Sequence, residues 1–139
     1  MGVYRVVIAD HHAIFRECLK AVLTEEGNFE VLGEAGDGLE LVNLVDHLIS
    51  NKSGPQLAIV DITMPLCCGI EATRRLKSTY PDMKILILTM HEDREYFDQA
   101  ISAGADGYVL KRFAGSELLP AIEQIRQQGK YVPKHFRPG

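Results

Sequence analysis

Short apolar runs alternate with amphipathic segments along this chain, and that alternation constrains the fold more than any other feature. Five runs rich in β-branched residues or Leu and Ile are bounded by turn residues, which indicates strands. After each run, apolar residues recur at helical spacing, so each predicted strand is followed by one predicted helix. The predicted strands are residues 4–9, 30–34, 57–60, 84–89 and 108–110.

Strict alternation of this kind predicts right-handed crossovers and a parallel sheet, and runs that are apolar on both faces suit strands covered by helices on both sides. The sequence therefore predicts a three-layer α/β sandwich. A length of 139 residues gives room for one compact domain. We assign residues 1–128 to it, and interpret residues 129–139, where the pattern stops, as a tail or the start of a linker.

Two of the predicted helices carry details that the structure can test. In the first helix the apolar stripe runs through Ile14, Cys18 and Val22, so we expect Cys18 to pack in the core. In the last helix Ser116 is predicted to be the N-cap, with Pro120 near the first turn, where a proline does least harm.

Composition and charge exclude some classes of function. A net charge of -4 does not favour DNA binding by this chain alone, since that binding depends on Lys and Arg facing phosphates. The basic residues Arg74, Arg75 and Lys77 are interpreted as a solvated helix face. The apolar run at 6–9 is too short for a signal sequence or a membrane span, and three cysteines without framework spacing fit a reducing compartment. We expect a cytoplasmic protein with no membrane contact.

Polar residues follow four of the five predicted strands. In an open parallel sheet ligands bind beyond the carboxyl ends of the strands, so these side chains should meet at one rim. Such a set suits phosphoryl transfer, with one carboxylate as nucleophile, another to hold Mg²⁺, and an ammonium and a hydroxyl to bind phosphoryl oxygens. Any one of them alone would be better explained as a helix cap or a solvated loop residue. They are Asp10, His11 and His12 after the first strand, Asp61 after the third, Thr89 after the fourth and Lys111 after the fifth.

Four segments resemble the motif blocks of response regulator receiver domains of two-component systems, particularly the LuxR-type (NarL/FixJ-like) subfamily. They are IADHHAIFRECL, VDITMP with GIEATRRLK, LILTMHED and AGADGYVLK, and the resemblance extends to about Gln128. It implies a flavodoxin-like fold with strand order 2-1-3-4-5. It also implies a signalling domain that is not an enzyme, apart from catalysing its own phosphotransfer and dephosphorylation.

By motif position, the resemblance implies that Asp61 accepts a phosphoryl group from a histidine kinase. Thr89 and Lys111 would then act on the phosphoryl group and sense it. Asp10, Asp61 and the backbone carbonyl of Thr63 would hold Mg²⁺ or Mn²⁺.

Tyr108 resembles the switch aromatic of the family, whose rotamer follows the residue at Thr89. Phosphorylation would then bias the face formed by the fourth helix, fifth strand and fifth helix toward a new partner or a homodimer. LuxR-type regulators usually continue into a helix-turn-helix domain, which is not encoded here. The basic tail favours a chain that continues into such a domain, which would regulate transcription and make the only contact with DNA. The alternative is a stand-alone receiver.

His11 departs from the family pattern, which has a second acid, normally a direct metal ligand, at this position. Imidazole is a poor ligand for Mg²⁺ and a good one for Zn²⁺, Ni²⁺ or Cu²⁺. We favour weakened Mg²⁺ binding with phosphorylation retained. One alternative is a phosphate-independent receiver acting as a protein-interaction module. The other is a transition-metal site in which Cys67 and Cys68 approach His11 and His12.

Two unrelated functions rank lower. An aspartate-nucleophile phosphohydrolase of the haloacid dehalogenase type also begins from an aspartate at a strand end, but it needs an acid two residues later, where Thr63 stands. A flavodoxin-like nucleotide or flavin binder needs a Gly-rich or Ser/Thr-rich phosphate loop after the first strand, and DHHAIF provides none.

Overall fold

The computed structural model describes residues 2–137, which form five strands alternating with five α-helices. The strands make one sheet in the order β2-β1-β3-β4-β5, and every neighbouring pair is parallel. The flavodoxin-like fold and its strand order are therefore confirmed. In chain order the elements are β1 (Tyr4–Ala9), α1 (Ala13–Glu26), β2 (Phe29–Ala35), α2 (Gly38–Ser50), β3 (Leu57–Val60), α3 (Gly69–Thr79), β4 (Lys84–Thr89), α4 (Arg94–Ser102), β5 (Gly107–Leu110), a 3-10 turn (Lys111–Phe113), α5 (Ala114–Gln128) and a second 3-10 turn (Lys134–Phe136).

The sheet separates two hydrophobic cores, because successive side chains on a strand point to opposite faces. On β1, Val6 and Ile8 pack with residues of α1 and α5, whereas Val7 and Ala9 pack with residues of α2, α3 and α4. All four of these side chains are buried. No helix within residues 2–137 has the length and apolar character needed to cross a membrane.

Helix α1 is rotated relative to the sequence prediction. Ile14 and Val22 are exposed, at 80% and 43%, and Cys18 is exposed as well, so the prediction that Cys18 packs in the core is wrong. The buried positions are Leu19 and Leu23, one residue further along the helix. Two adjacent rows of apolar residues run along α1, and packing against β1 and α5 buries the row that contains Leu19 and Leu23.

Helix α5 begins earlier than predicted. The 3-10 turn Lys111–Phe113 leads directly into the helix at Ala114, so Ser116 lies inside α5 and is not its N-cap. Its hydroxyl instead donates back to the Phe113 carbonyl at 3.3 Å. Pro120 lies in the second turn, where the helical hydrogen bond that it lacks would go to the carbonyl of Ser116. Both residues are exposed, so water can reach that carbonyl.

Lys77 does not belong to a solvated face, unlike Arg74 and Arg75. Those two arginines are exposed and pair with Glu71 on the same helix. The Lys77 side chain is only 16% exposed, and its ammonium reaches Asp106 across the fold at 3.0 Å. The sequence pattern of α3 could not reveal this contact, because Asp106 precedes β5.

The chain after α5 packs back on the domain as far as residue 137. Gly129 ends α5 with a φ of 90°, a left-handed conformation that glycine adopts without strain. Beyond it, Tyr131 and Phe136 are both buried. The interpretation of residues 129–139 as a tail or linker extends to residues outside the described ones and stays a prediction.

Candidate functional site

Three charged residues converge at the carboxyl edge of the sheet. Asp10 follows β1, Asp61 follows β3, and these strands are neighbours. The ammonium of Lys111, after β5, lies 2.7 Å from Asp10 Oδ2 and 3.0 Å from Asp61 Oδ2. Both aspartates are buried, at 2% and 5% exposure. The structure thus brings together the two acids and the lysine that the sequence placed at strand ends.

The ammonium of Lys111 is held from a third side by an aromatic ring. It lies 4.2 Å from the centre of the Phe15 ring on α1, a cation–π contact. Burial by itself lowers the pKa of Lys111, but the hydrogen bond to Asp10 and the charge of Asp61 outweigh it, so the pKa lies above its ordinary value. Lys111 is therefore a fixed positive charge at neutral pH. Sequence reasoning missed Phe15, which lies one position from the predicted stripe.

One oxygen of Asp61 has no hydrogen-bond partner in the described part of the chain. Among the side chains of residues 2–137, Asp61 Oδ1 is the buried polar atom left unsatisfied. Buried polar groups without partners are uncommon and costly in folded proteins. With two carboxylates around one ammonium, the pocket also carries a net negative charge. An unpaired carboxylate oxygen in a negative pocket fits a hard divalent cation such as Mg²⁺, which prefers oxygen ligands.

The loop after Asp61 passes close to its backbone. A Cβ atom on Gly69 would lie 2.0 Å from the Asp61 carbonyl oxygen, so only glycine allows the start of α3 to approach so near. The Gly69 amide donates to the Ile62 carbonyl at 2.9 Å and fixes this approach. Within the loop, exposed Leu66 adopts a φ of 67°, which is uncommon for a residue with a side chain.

His91 connects the predicted switch residues to the loop after Asp61. The hydroxyl of buried Tyr108 donates to the His91 carbonyl at 2.9 Å, and the His91 amide donates weakly to Thr89 Oγ1 at 3.4 Å. The His91 ring stacks on Tyr96, with centroids 4.0 Å apart, and its Nε2 lies 2.6 Å from Thr63 Oγ1. Sequence reasoning gave His91 no role, since nothing in the local pattern indicated the contact with Thr63.

Tyr108 keeps its proton at any physiological pH. Burial raises the pKa of its hydroxyl most, and the negative charge of Asp61 raises it further. The hydroxyl can therefore serve only as a neutral donor to the His91 carbonyl.

The histidines after β1 do not enter the pocket as a metal cluster. His11 and His12 are exposed, with their rings edge to face at 5.3 Å, and the His12 amide donates to Asp10 Oδ1 at 2.8 Å. Within residues 2–137, no group of three or more His, Cys, Asp or Glu side chains converges as a metal site. The transition-metal alternative, with Cys67 and Cys68 beside His11, thus has no ligand cluster in the described part of the chain.

A parallel sheet with two acids, a threonine and a lysine at its carboxyl edge marks this chain as an α/β domain with an acidic pocket at that edge. It belongs to the response regulator receiver domain family, whose match covers residues 6–123. Receiver domains of response regulators are signalling domains, and they generally bind Mg²⁺ at the phosphorylation site.

Relatives place the chain with the LuxR-type receivers. It is 39% identical over 128 residues to the transcriptional regulatory protein DegU of Brevibacillus brevis. That match covers 92% of this chain and 52% of the relative. It is 36% identical over 130 residues to the oxygen regulatory protein NreC of Staphylococcus epidermidis, covering 92% and 57%. The chain thus spans about half the length of the curated relatives it matches.

Solved structures agree with this placement. A LuxR-family two-component response regulator from Aurantimonas sp. superposes with a TM-score of 0.85 at 32% identity, covering 95% of this chain and 90% of that one. The receiver domain of the response regulator NarL from Mycobacterium tuberculosis gives 0.82 at 27% identity, covering 92% and 99%. The chain is a receiver domain of the LuxR-type two-component response regulators.

Proposed function

We propose that Asp61 accepts a phosphoryl group from a histidine kinase and that its phosphorylation state controls an output. The observation that carries this proposal is the unpaired Oδ1 of buried Asp61. Its other oxygen, Oδ2, accepts a hydrogen bond from Lys111 at 3.0 Å, so the carboxylate is held in place while Oδ1 stays open to a cation. A carboxylate held in this way is a nucleophile oriented before the donor arrives.

In the proposed reaction a carboxylate oxygen of Asp61 forms a bond to phosphorus while the bond from phosphorus to its donor breaks, and the electron pair of that bond leaves with the donor. The product is an acyl phosphate on Asp61. Lys111 is a positive charge beside the transferred oxygens, and the buried Thr89 hydroxyl is a second group for them to bind. Such transfers depend mostly on positioning and electrostatic stabilisation.

Asp10, Asp61 and the backbone carbonyl of Thr63 would hold Mg²⁺, or Mn²⁺ in its place. When bound, the cation would supply positive charge that offsets the negative charge of the carboxylates and the phosphoryl group. His11 stands where the family has a second acid, and imidazole is a poor Mg²⁺ ligand. We therefore expect Mg²⁺ to bind more weakly here than in a receiver that has the second acid.

The proposed output is transcription, through a DNA-binding domain beyond the part that matches here. The curated relatives above are a transcriptional regulatory protein and an oxygen regulatory protein, each about twice as long as the match. A further solved relative, RcsB, at 26% identity, is described as dimers bound to DNA. A homodimer on activation and DNA contact through the output domain are the corresponding proposals for this chain.

One observation favours a phosphate-independent receiver as the second candidate. Lys111 already bridges both aspartates, so part of the pocket charge is neutralised without any phosphoryl group. A protein-interaction module that no longer exchanges phosphate would keep Lys111 to neutralise the two buried carboxylates.

Intact mass after incubation with acetyl phosphate, with and without Mg²⁺, separates the two candidates. We expect a Mg²⁺-dependent gain of one phosphoryl group in the wild type and none in Asp61→Asn. Asp82→Asn, which changes an exposed acid at the opposite edge of the sheet, is the matched control and should gain as the wild type does. No gain in the wild type, even at high Mg²⁺, would refute phosphoacceptance and favour the interaction module.

A further inference from the structure

The segment after α5 crosses the surface formed by α4 and β5. Tyr131 forms a parallel bridge with Gly107 of β5, and its amide donates to the Asp106 carbonyl at 2.9 Å. The hydroxyl of Tyr131 donates to Glu117 Oε1 on α5 at 2.8 Å. The chain then continues through the second 3-10 turn. We call residues 131–137 the strap.

The strap is anchored by the ring of Phe136, which is 5% exposed. That ring stacks on Phe97 of α4, with centroids 4.6 Å apart and planes 19° apart. It also meets the predicted switch residue Tyr108 edge to face at 5.5 Å. Aromatic pairs in these geometries add to the free energy gained by burial alone. The anchor is thus built on two side chains of the α4–β5 surface, one of them the switch aromatic.

Polar contacts tie the strap to the segment that follows His91. His135 Nε2 donates to the Glu92 carbonyl at 3.2 Å, and Arg94 Nη1 donates to the Phe136 carbonyl at 3.3 Å. Because Tyr108 also donates to the His91 carbonyl, residues 91–94 are held to the strap directly and through Tyr108.

Residues 91–94 in turn border the Asp61 pocket. The His91 ring bonds Thr63 Oγ1 at 2.6 Å, which links the loop after Asp61 to the loop after Thr89. A phosphoryl group on Asp61 that is also bound by Thr89 has to fit between these two loops. The bond between the His91 ring and Thr63 Oγ1 ties the two loops together, so a movement of either loop to accept the group would be resisted by every contact between the strap and residues 91–94.

We propose that the strap opposes occupation of the Asp61 pocket, and that occupation weakens strap docking and so exposes Phe97 and Tyr108 more often. This inference rests on the proposed function of Asp61. Coupling between two sites is reciprocal, so the factor by which occupation weakens strap docking is the factor by which a docked strap weakens occupation. The strap is then a built-in cover for the α4–β5 surface, and phosphorylation loosens it.

The test uses beryllofluoride with Mg²⁺ as a phosphoryl analogue on the 139-residue chain. Amide hydrogen exchange at Tyr131 and Phe136 reports strap docking, and calorimetric titration reports affinity for the analogue. We expect the analogue to speed exchange at both amides by about fivefold, the lower end of common coupling strengths. Phe136→Ala should bind the analogue about fivefold more tightly than the wild type, in keeping with reciprocity.

Lys134→Ala is the matched control, because it truncates an exposed strap side chain and leaves the anchor intact. It should behave as the wild type in both measurements. Phe136→Leu keeps an apolar anchor without the stacked ring, so it should shift affinity in the same direction by a smaller factor, even if the alanine variant folds poorly.

The outcomes distinguish the inference from the function on which it rests. Tight binding of the analogue with unchanged exchange in the strap, and equal affinity in Phe136→Ala, would overturn the strap inference and leave phosphoacceptance intact. No binding of the analogue by any variant would contradict phosphoacceptance, and the strap inference would fall with it.

Discussion

Two lysine–carboxylate clusters lie at opposite edges of the sheet and differ in how completely their polar atoms are satisfied. At the amino edge, Lys77 Nζ donates to the carbonyls of Pro81 and Met83 and to Asp106 Oδ2, each at 3.0 Å. Asp106 Oδ2 also accepts from the Ile85 amide at 2.9 Å. All three ammonium hydrogens of Lys77 thus have acceptors, and the cluster is closed.

At the carboxyl edge, Lys111 faces two buried carboxylates, and Asp61 Oδ1 is left without a partner among residues 2–137. The same residue types therefore stabilise the fold at one edge and leave binding capacity at the other. A substitution in the closed cluster should lower the free energy of unfolding of the protein. A substitution in the open cluster should remove function and raise the free energy of unfolding, the trade-off expected of functional sites.

The largest expected effect is at the closed cluster. Asp106→Asn removes the charge opposite Lys77 and leaves a largely buried ammonium without its counter-ion, so we expect it to lower the free energy of unfolding by about 3 kcal/mol. Urea unfolding measures this loss. Asp82→Asn, at an exposed acid, should stay within about 0.5 kcal/mol of the wild type. Equal losses of unfolding free energy in the two variants would show that the Lys77–Asp106 cluster stabilises the fold no more than an exposed acid does.

The same chemical change at the open cluster should act in the opposite direction. Asp61→Asn removes one of the two carboxylates that share Lys111, and with it the negative charge on an oxygen that has no hydrogen-bond partner among residues 2–137. We therefore expect the free energy of unfolding to rise by about 1 kcal/mol. The measurement is urea unfolding without Mg²⁺. A loss as large as that of Asp106→Asn would erase the difference between the two edges.

The smallest effect concerns pH. Burial lowers the pKa of Lys111, but Asp10 and Asp61 together raise it by more than burial lowers it. The pKa in the folded protein therefore lies above the ordinary value of 10.5. Stability from a raised pKa is fully present below the unfolded value and is lost as pH rises through the folded value. The stability advantage of the wild type over Lys111→Met should therefore be constant from neutral pH to about pH 10 and shrink above it. Urea unfolding across this pH range measures the difference in stability between the two proteins. A difference that did not change above about pH 10 would contradict the raised pKa of Lys111.

Much of the fold could be predicted because its signals are local. The runs that became β1, β3 and β4 have the predicted limits, since each is a buried strand bounded by turn residues. The meeting of Asp10 and Asp61 follows from the parallel topology once the strands are placed. Their roles in phosphoryl transfer stay predictions until they are measured.

The features that sequence reasoning missed depend on contacts between distant segments. The row of α1 that faces the sheet is chosen by packing, so Cys18 came out exposed where its pattern indicated burial. The contact of Phe15 with Lys111, the bond from His91 to Thr63 and the burial of Phe136 each join parts of the chain that are far apart in sequence. No periodicity or motif encodes such pairings.

The most direct test of the central claim is to identify the phosphorylated residue chemically. Borohydride reduces an acyl phosphate on aspartate to the alcohol of homoserine, which peptide mass spectrometry locates. After treatment with acetyl phosphate and Mg²⁺, we predict reduction of the Asp61 side chain, with Asp10 and Asp106 unchanged. Reduction at another aspartate, or an unreduced Asp61 in protein whose intact mass shows the phosphoryl group, would contradict the assignment of Asp61 as the phosphoacceptor.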